Sequence, residues 1–113
     1  KIDDMLESLE ELKKFSSHSM LTSAKIKGVW PVSPRDTCEL LHWRVMEDGG
    51  AIFFHFSVAD DAKPVDPSGT FVRADNIVMG YYLRPTEDGL ATEVFSLMDS
   101  DPQGSLPTFL INQ

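Results

Sequence analysis

The sequence predicts an α+β domain that is mostly an antiparallel meander of five or six strands, with helix confined to its ends. Three observations carry this prediction. Apolar runs of strand length alternate with turns rich in Gly, Pro and Asp. Asp48-Gly49-Gly50 and Glu87-Asp88-Gly89 are tight-turn signals lying between such runs. Residues 51–58 are almost wholly apolar, as in a strand covered on both faces. No repeat, low-complexity tract or linker divides the 113 residues, so one unit is expected over residues 1–113.

The elements follow in order. Ile2, Met5, Leu6, Leu9, Leu12 and Phe15 recur at helical spacing. Acidic residues lie near the start of that stretch and Lys13 and Lys14 near its end, which suits a helix dipole. Residues 20–27 read as a strand, interrupted by Trp30-Pro31-Val32-Ser33-Pro34, because two closely spaced prolines cannot continue a central ladder. Residues 36–46 form the next strand and residues 51–58 its hairpin partner. Residues 60–70 hold two prolines, three aspartates and a glycine and are expected to be an irregular loop. Residues 71–83 form a long strand with a break near Ala74 to Asn76, and residues 90–98 another. Asp99 to Gly104 reads as a turn, and residues 106–111 as a short apolar segment or the start of a helix.

Eighteen acidic residues against ten basic ones give a net charge of −8. That field repels phosphate backbones, so nucleic acid is not an expected partner. It also opposes standing attachment to anionic membranes. A single cysteine, Cys38, excludes an internal disulfide framework and fits a reducing compartment. No apolar run approaches bilayer length, and no signal peptide is expected. The chain opens at Lys1 rather than methionine, which predicts a trimmed or excised piece.

His18, His42 and His55 form no metal-ligand spacing with one another or with Cys38, so no metal is expected. Nucleophile motifs, a glycine-rich phosphate loop and a P-loop lysine are absent, and no enzyme activity is expected. Asp99 and Asp101 resemble a carboxylate pair, but aspartates in a Pro/Gly turn usually bind local backbone donors. His55 stands out. Strand alternation places Phe53, His55 and Ser57 on one face, with Ile52, Phe54, Phe56 and Val58 on the other. A polar ring in an apolar strand needs a partner. It is either a core histidine satisfied by backbone or hydroxyl, or a polar anchor in an apolar pocket. Arg35 and Asp36 are a surface pair, a structural clamp or a charge facing a cavity. A buried Arg73 would need a carboxylate, for which Glu39 and Glu93 are the candidates. The aromatic set that includes Phe53, Phe56, Tyr81 and Tyr82 fits a core, or the lining of an apolar ligand site.

Five motifs occur in a fixed order: Val29-Trp30-Pro31-Val32-Ser33-Pro34-Arg35-Asp36, Phe56-Ser57-Val58, Val72-Arg73-Ala74, Tyr81-Tyr82-Leu83-Arg84-Pro85, and Asp101-Pro102-Gln103-Gly104-Ser105-Leu106-Pro107. Together they resemble the START lipid-transfer domain, and within it most closely the ceramide-transfer-protein branch. The resemblance covers the middle and later part of such a domain. It implies a helix-grip fold, in which a curved antiparallel sheet wraps a C-terminal helix around one lipid in a tunnel. Here it implies a sheet of about six strands without the N-terminal elements and most of that helix, and it makes residues 7–15 a strand against their helical periodicity.

By position, the resemblance makes Arg35 a tunnel-facing arginine and Arg73 the arginine of the Val-Arg-Ala motif. It sets His55 where the branch has a lipid-binding asparagine, and Ala24 and Ser96 where it has a glutamine and a tyrosine. Those departures leave ceramide, phospholipid and sterol classes all open. Tyr81 joins the expected lining. Asp60, Pro64, Pro67 and Gly69 fall in the loop expected to gate lipid entry. The implied protein uses no cofactor, binds a lipid, touches membranes transiently and is cytoplasmic and membrane-peripheral. The alternative is an assembly subunit whose sheet face is covered by a second copy or a partner chain.

Overall fold

A computed structural model of the chain describes residues 5–101 and residue 103. Its elements are eight strands: β1 (Leu6–Ser16), β2 (Ser19–Ile26), β3 (Arg35–Asp36), β4 (Glu39–Val45), β5 (Ala51–Ser57), β6 (Val72–Arg73), β7 (Asp75–Pro85) and β8 (Thr92–Asp101). They form one curved sheet that does not close. Its order is β6-β3-β2-β4-β5-β7-β8, with β1 on the other side of β2. All pairings are antiparallel except the short β3–β6 pair. The expected antiparallel meander is present as β1-β2-β4-β5-β7-β8, but the two-residue strands β3 and β6 bring the count to eight rather than five or six. Among the described residues only Met5 is helical, so no helix of the expected α+β class is described, and residues 106–111 lie outside them.

Several expectations need correction. Residues 6–16 are a strand, as the family resemblance implied and periodicity did not. The pairing with β2 skips Glu7, Leu12 and Phe15, three bulged positions. Each bulge turns the next side chain onto the opposite face. Leu6, Leu9, Glu11 and Lys14 thus oppose Ile26, Ala24, Thr22 and Met20 on one face. The expected strand 36–46 is two strands, broken at Thr37 and the fully buried Cys38. The break predicted near Ala74 occurs at that residue. β8 runs to Asp101, so Asp99 opposes Val78 within the sheet rather than lying in a turn. Only Asp101 makes the expected local bonds, accepting from the backbone and side-chain nitrogens of Gln103.

β5 is covered fully on neither face: all seven of its residues are half-buried. Among the described apolar residues Leu21, Cys38 and Ala74 are buried, and they lie at β2 and the β3–β4 and β6–β7 breaks. Gly80 in β7 opposes Phe54, and a Cβ there would lie 2.8 Å from the Phe53 carbonyl oxygen, so only glycine admits this pairing. Among the described residues no helix is long and apolar enough to cross a membrane.

Candidate functional site

Directly opposed residues in a ladder share a face. The registers therefore sort the sequence-predicted residues without ambiguity. On one face, Trp43, Phe53, Tyr81 and Ser96 form a row across β4, β5, β7 and β8. The next row is Met20, Leu41, His55, Met79 and Met98. Then come Thr22, Glu39 and Ser57, and beyond them Ala24 on β2 and Arg35, which opposes Ile26 and Val72. Ala24, Arg35, His55, Tyr81 and Ser96 thus lie on one face. Arg73 does not. It pairs with Asp36 on the opposite face.

His55 is neither a backbone-satisfied nor a hydroxyl-satisfied histidine. Its Nδ1 lies 2.5 Å from Oε2 of Glu39. Glu39 is the missed residue of this site, and its carboxylate partner is His55, not Arg73. The same Oε2 accepts from Nδ2 of Asn76 at 3.1 Å, and Oδ1 of Asn76 accepts from the Ser100 hydroxyl at 2.6 Å. Asn76 reaches this face because the β7–β8 register shifts between Asn76 and Val78. Its backbone N–H donates to Ser57 Oγ at 2.8 Å. The result is a small polar network in a field of Leu, Met, Phe and Trp, with the His55 and Glu39 side chains 21% and 9% exposed. One sequence signal for Glu39 existed: it is an acid in an apolar strand, two residues from the position opposite His55. The bulge that aims Asn76 leaves no such signal.

Arg35 is buried; its guanidinium donates to the carbonyl oxygens of Ser33 and Gln103, at 2.5 and 2.6 Å. Arg73 Nε and Nη2 bond both carboxylate oxygens of Asp36, at 2.7 and 3.3 Å, and Nη2 also reaches the Pro64 carbonyl. Neither Glu39 nor Glu93 supplies that carboxylate; Glu93 pairs with Arg84.

The loop between β5 and β6 contains Asp60, Pro64, Pro67 and Gly69. Asp66 organises it by accepting from the backbone N–H groups of Ser68 and Phe71 and the Ser68 hydroxyl. Those donors, Phe71 first, hold its carboxyl below the ordinary aspartate value. Gly69 takes φ of +74°, suited to glycine. Asp60 ties the loop to β1 through Lys13 at 2.9 Å. An open cleft of about 580 Å³ lies between the loop and the sheet, bordered by Ser57, Val65, Phe71, Arg73, Ala74 and Gln103. Burial raises the Cys38 thiol pKa, with Arg73 partly opposing the shift. The turn after β2 presents Trp30 at 92% exposure beside Val29.

A START domain family model matches residues 3–113. No curated protein matches the chain. Among solved structures it is similar to human StAR-related lipid transfer protein 5, with a TM-score of 0.82 and 22% identity over 99% of this chain and 53% of that one. Human STARD10 superposes with a TM-score of 0.83 and 22% identity, over 98% of this chain and 44% of that one. A STAR-related lipid transfer protein fragment from Xanthomonas axonopodis gives 0.69 and 25% identity, over 96% and 58%. The chain thus spans about half the length of these solved relatives.

Proposed function

The chain belongs to the START domain family, and on that premise we propose that it forms part of a domain that binds one lipid and transfers it between membranes without chemical reaction. The observation that carries this reading is the Glu39–His55–Asn76 network set within an apolar, half-covered sheet face. An acyl chain or ring system leaving a bilayer needs apolar cover worth about 0.8 kcal/mol per buried CH₂. A few polar groups among apolar walls then fix its head.

In this reading Ala24, Tyr81 and Ser96 line the lipid beside His55. Arg35 closes the end of the lining. Arg73 serves indirectly, by fixing the gating loop through Pro64. Exposed Trp30 and Val29 make the transient membrane contact, since indole favours the membrane–water interface. The small Ala24 and Ser96 leave space where the ceramide branch has larger polar residues, so the lipid need not be a ceramide.

The test is transfer of fluorescent lipid between donor and acceptor vesicles by the full-length protein. Ser96→Trp or His55→Trp fills the lining and is expected to lower transfer by about tenfold or more, with the β-sheet signal in circular dichroism retained. Unchanged transfer by both variants would remove this face as the lipid site. The assembly-subunit reading is favoured by one observation, the large exposed apolar area on both faces of the sheet.

A further inference from the structure

We infer that Ser16 is a phosphorylation site for an ATP-dependent protein kinase that reads basic residues, and that its phosphate draws Lys13 away from Asp60 on the loop between β5 and β6. The site stands independently of the lipid reading.

The β1–β2 hairpin carries the argument. Lys13-Lys14 is the sole pair of adjacent basic residues in a chain of net charge −8, and Ser16 follows it after Phe15. Two ammonium groups closely preceding a serine are what an acidic peptide-binding cleft holds. β1 pairs only with β2 among the described residues, so the other edge of this extended segment is open to a second chain. Ser16 and Ser17 are exposed. The Ser16 oxygen accepts the His18 N–H at 3.1 Å, and its hydroxyl proton has no acceptor among the described residues. Ser19 is half-buried, with its hydroxyl 2.6 Å from Nδ1 of His42. Ser17 lies in the turn, off the extended edge. In the reaction the bond from the γ-phosphorus of ATP to its bridging oxygen breaks and a bond to Ser16 Oγ forms. ADP leaves, and the hydroxyl proton passes to the base of the kinase.

The register gives the consequence. Lys13 opposes Leu21 and Ser16 opposes Ser19, two residues apart on β2. Lys13 and Ser16 are therefore successive side chains on the face opposite His55, whereas Lys14, opposite Met20, is on the His55 face. Lys13 Nζ bonds both carboxylate oxygens of Asp60, at 2.9 and 3.2 Å, with the two side chains 47% and 24% exposed. An ion pair so open to water is held weakly. A phosphate beside Lys13 brings nearly two charges and three acceptor oxygens, and it outcompetes a single carboxylate. The Asp60 carboxylate then keeps only the Ala62 N–H, and the loop loses its tie to β1.

The experiment incubates the full-length protein with magnesium, ATP and a kinase selective for paired basic residues before serine, and maps the phosphate by tandem mass spectrometry. Phosphate at Ser16 is expected, lost in Ser16→Ala and reduced about tenfold when Lys13→Ala and Lys14→Ala are combined. Hydrogen exchange is then read across the loop. The amides of residues 60–63 are expected to exchange about threefold faster in the phosphorylated protein, and Lys13→Ala should reproduce that change without phosphate. Phosphate only on other residues, or on none, overturns the site. Phosphate at Ser16 with unchanged loop exchange overturns the link to Asp60 and leaves the site standing. The wild-type measurements decide both points even if a variant does not fold.

Discussion

Asp36 and Arg73 show what a buried ion pair does on the sheet face opposite His55. Asp36 is 4% and Arg73 16% exposed, and their bidentate contact joins β3 to β6 while Arg73 also holds the loop at Pro64. Removing one partner strands the other charge in a place water hardly reaches. Arg73→Met is therefore expected to destabilise the fold by about 3–5 kcal/mol, whereas Arg73→Met with Asp36→Leu recovers much of the loss. Urea unfolding of the two variants checks this; a single variant as stable as the double would show that the pair carries little. His55 has a similar need and a different answer. Its partner Glu39 stands on the other sheet face, where the same physics holds a polar pair among apolar side chains instead of clasping two short strands.

At the scale of elements, the loop between β5 and β6 is held by carboxylates that must stay ionised. Asp66 is kept below the ordinary aspartate value by the Phe71 N–H, the Ser68 hydroxyl and the Ser68 N–H, and Asp60 by the Ala62 N–H and Lys13. A carboxyl whose folded value is depressed stabilises the fold above the unfolded value and loses that contribution as pH falls through the folded one. Loop order is thus expected to be constant above about pH 4 and to fail below it. Acid-stable limited proteolysis or hydrogen exchange across residues 58–71 would register the step, and Asp66→Asn should weaken the loop already at neutral pH. Protection that ignores pH down to 2.5 would show that these bonds do not order the loop. The sequence made this loop plain through its prolines and aspartates, and β2, β4, β5 and β7 through their apolar runs. β1 was opaque because bulges at Glu7, Leu12 and Phe15 erase alternation. The site was half legible for a related reason: His55 announces itself by polarity alone, while Asn76 joins it only through a bulge that no spacing encodes.

At the scale of the whole molecule, the quantity that decides behaviour is uncovered surface. A compact protein of this mass exposes about 6,200 Å²; this chain exposes 7987 Å². Its radius of gyration is 16.3 Å, against about 13 Å for a compact domain of similar length. The excess of roughly 1,800 Å² is about twice what each partner contributes to an ordinary stable interface. Much of it is apolar and sits on β8, where Val94, Phe95, Leu97 and Met98 are each about half exposed or more on alternating faces. An edge strand of this kind invites pairing with another chain. The 113-residue chain produced alone is therefore expected to associate at micromolar concentration and to bind a hydrophobic dye, and Phe95→Lys with Leu97→Lys should reduce both by charging one face of β8. Sedimentation velocity over a hundredfold concentration range is the direct check. A monomer throughout, with no dye binding, would mean that the sheet tolerates its bare faces. Association relieved by the charged variant would instead show that covering these faces is a condition of stability, whether the cover is lipid, a second copy or further polypeptide.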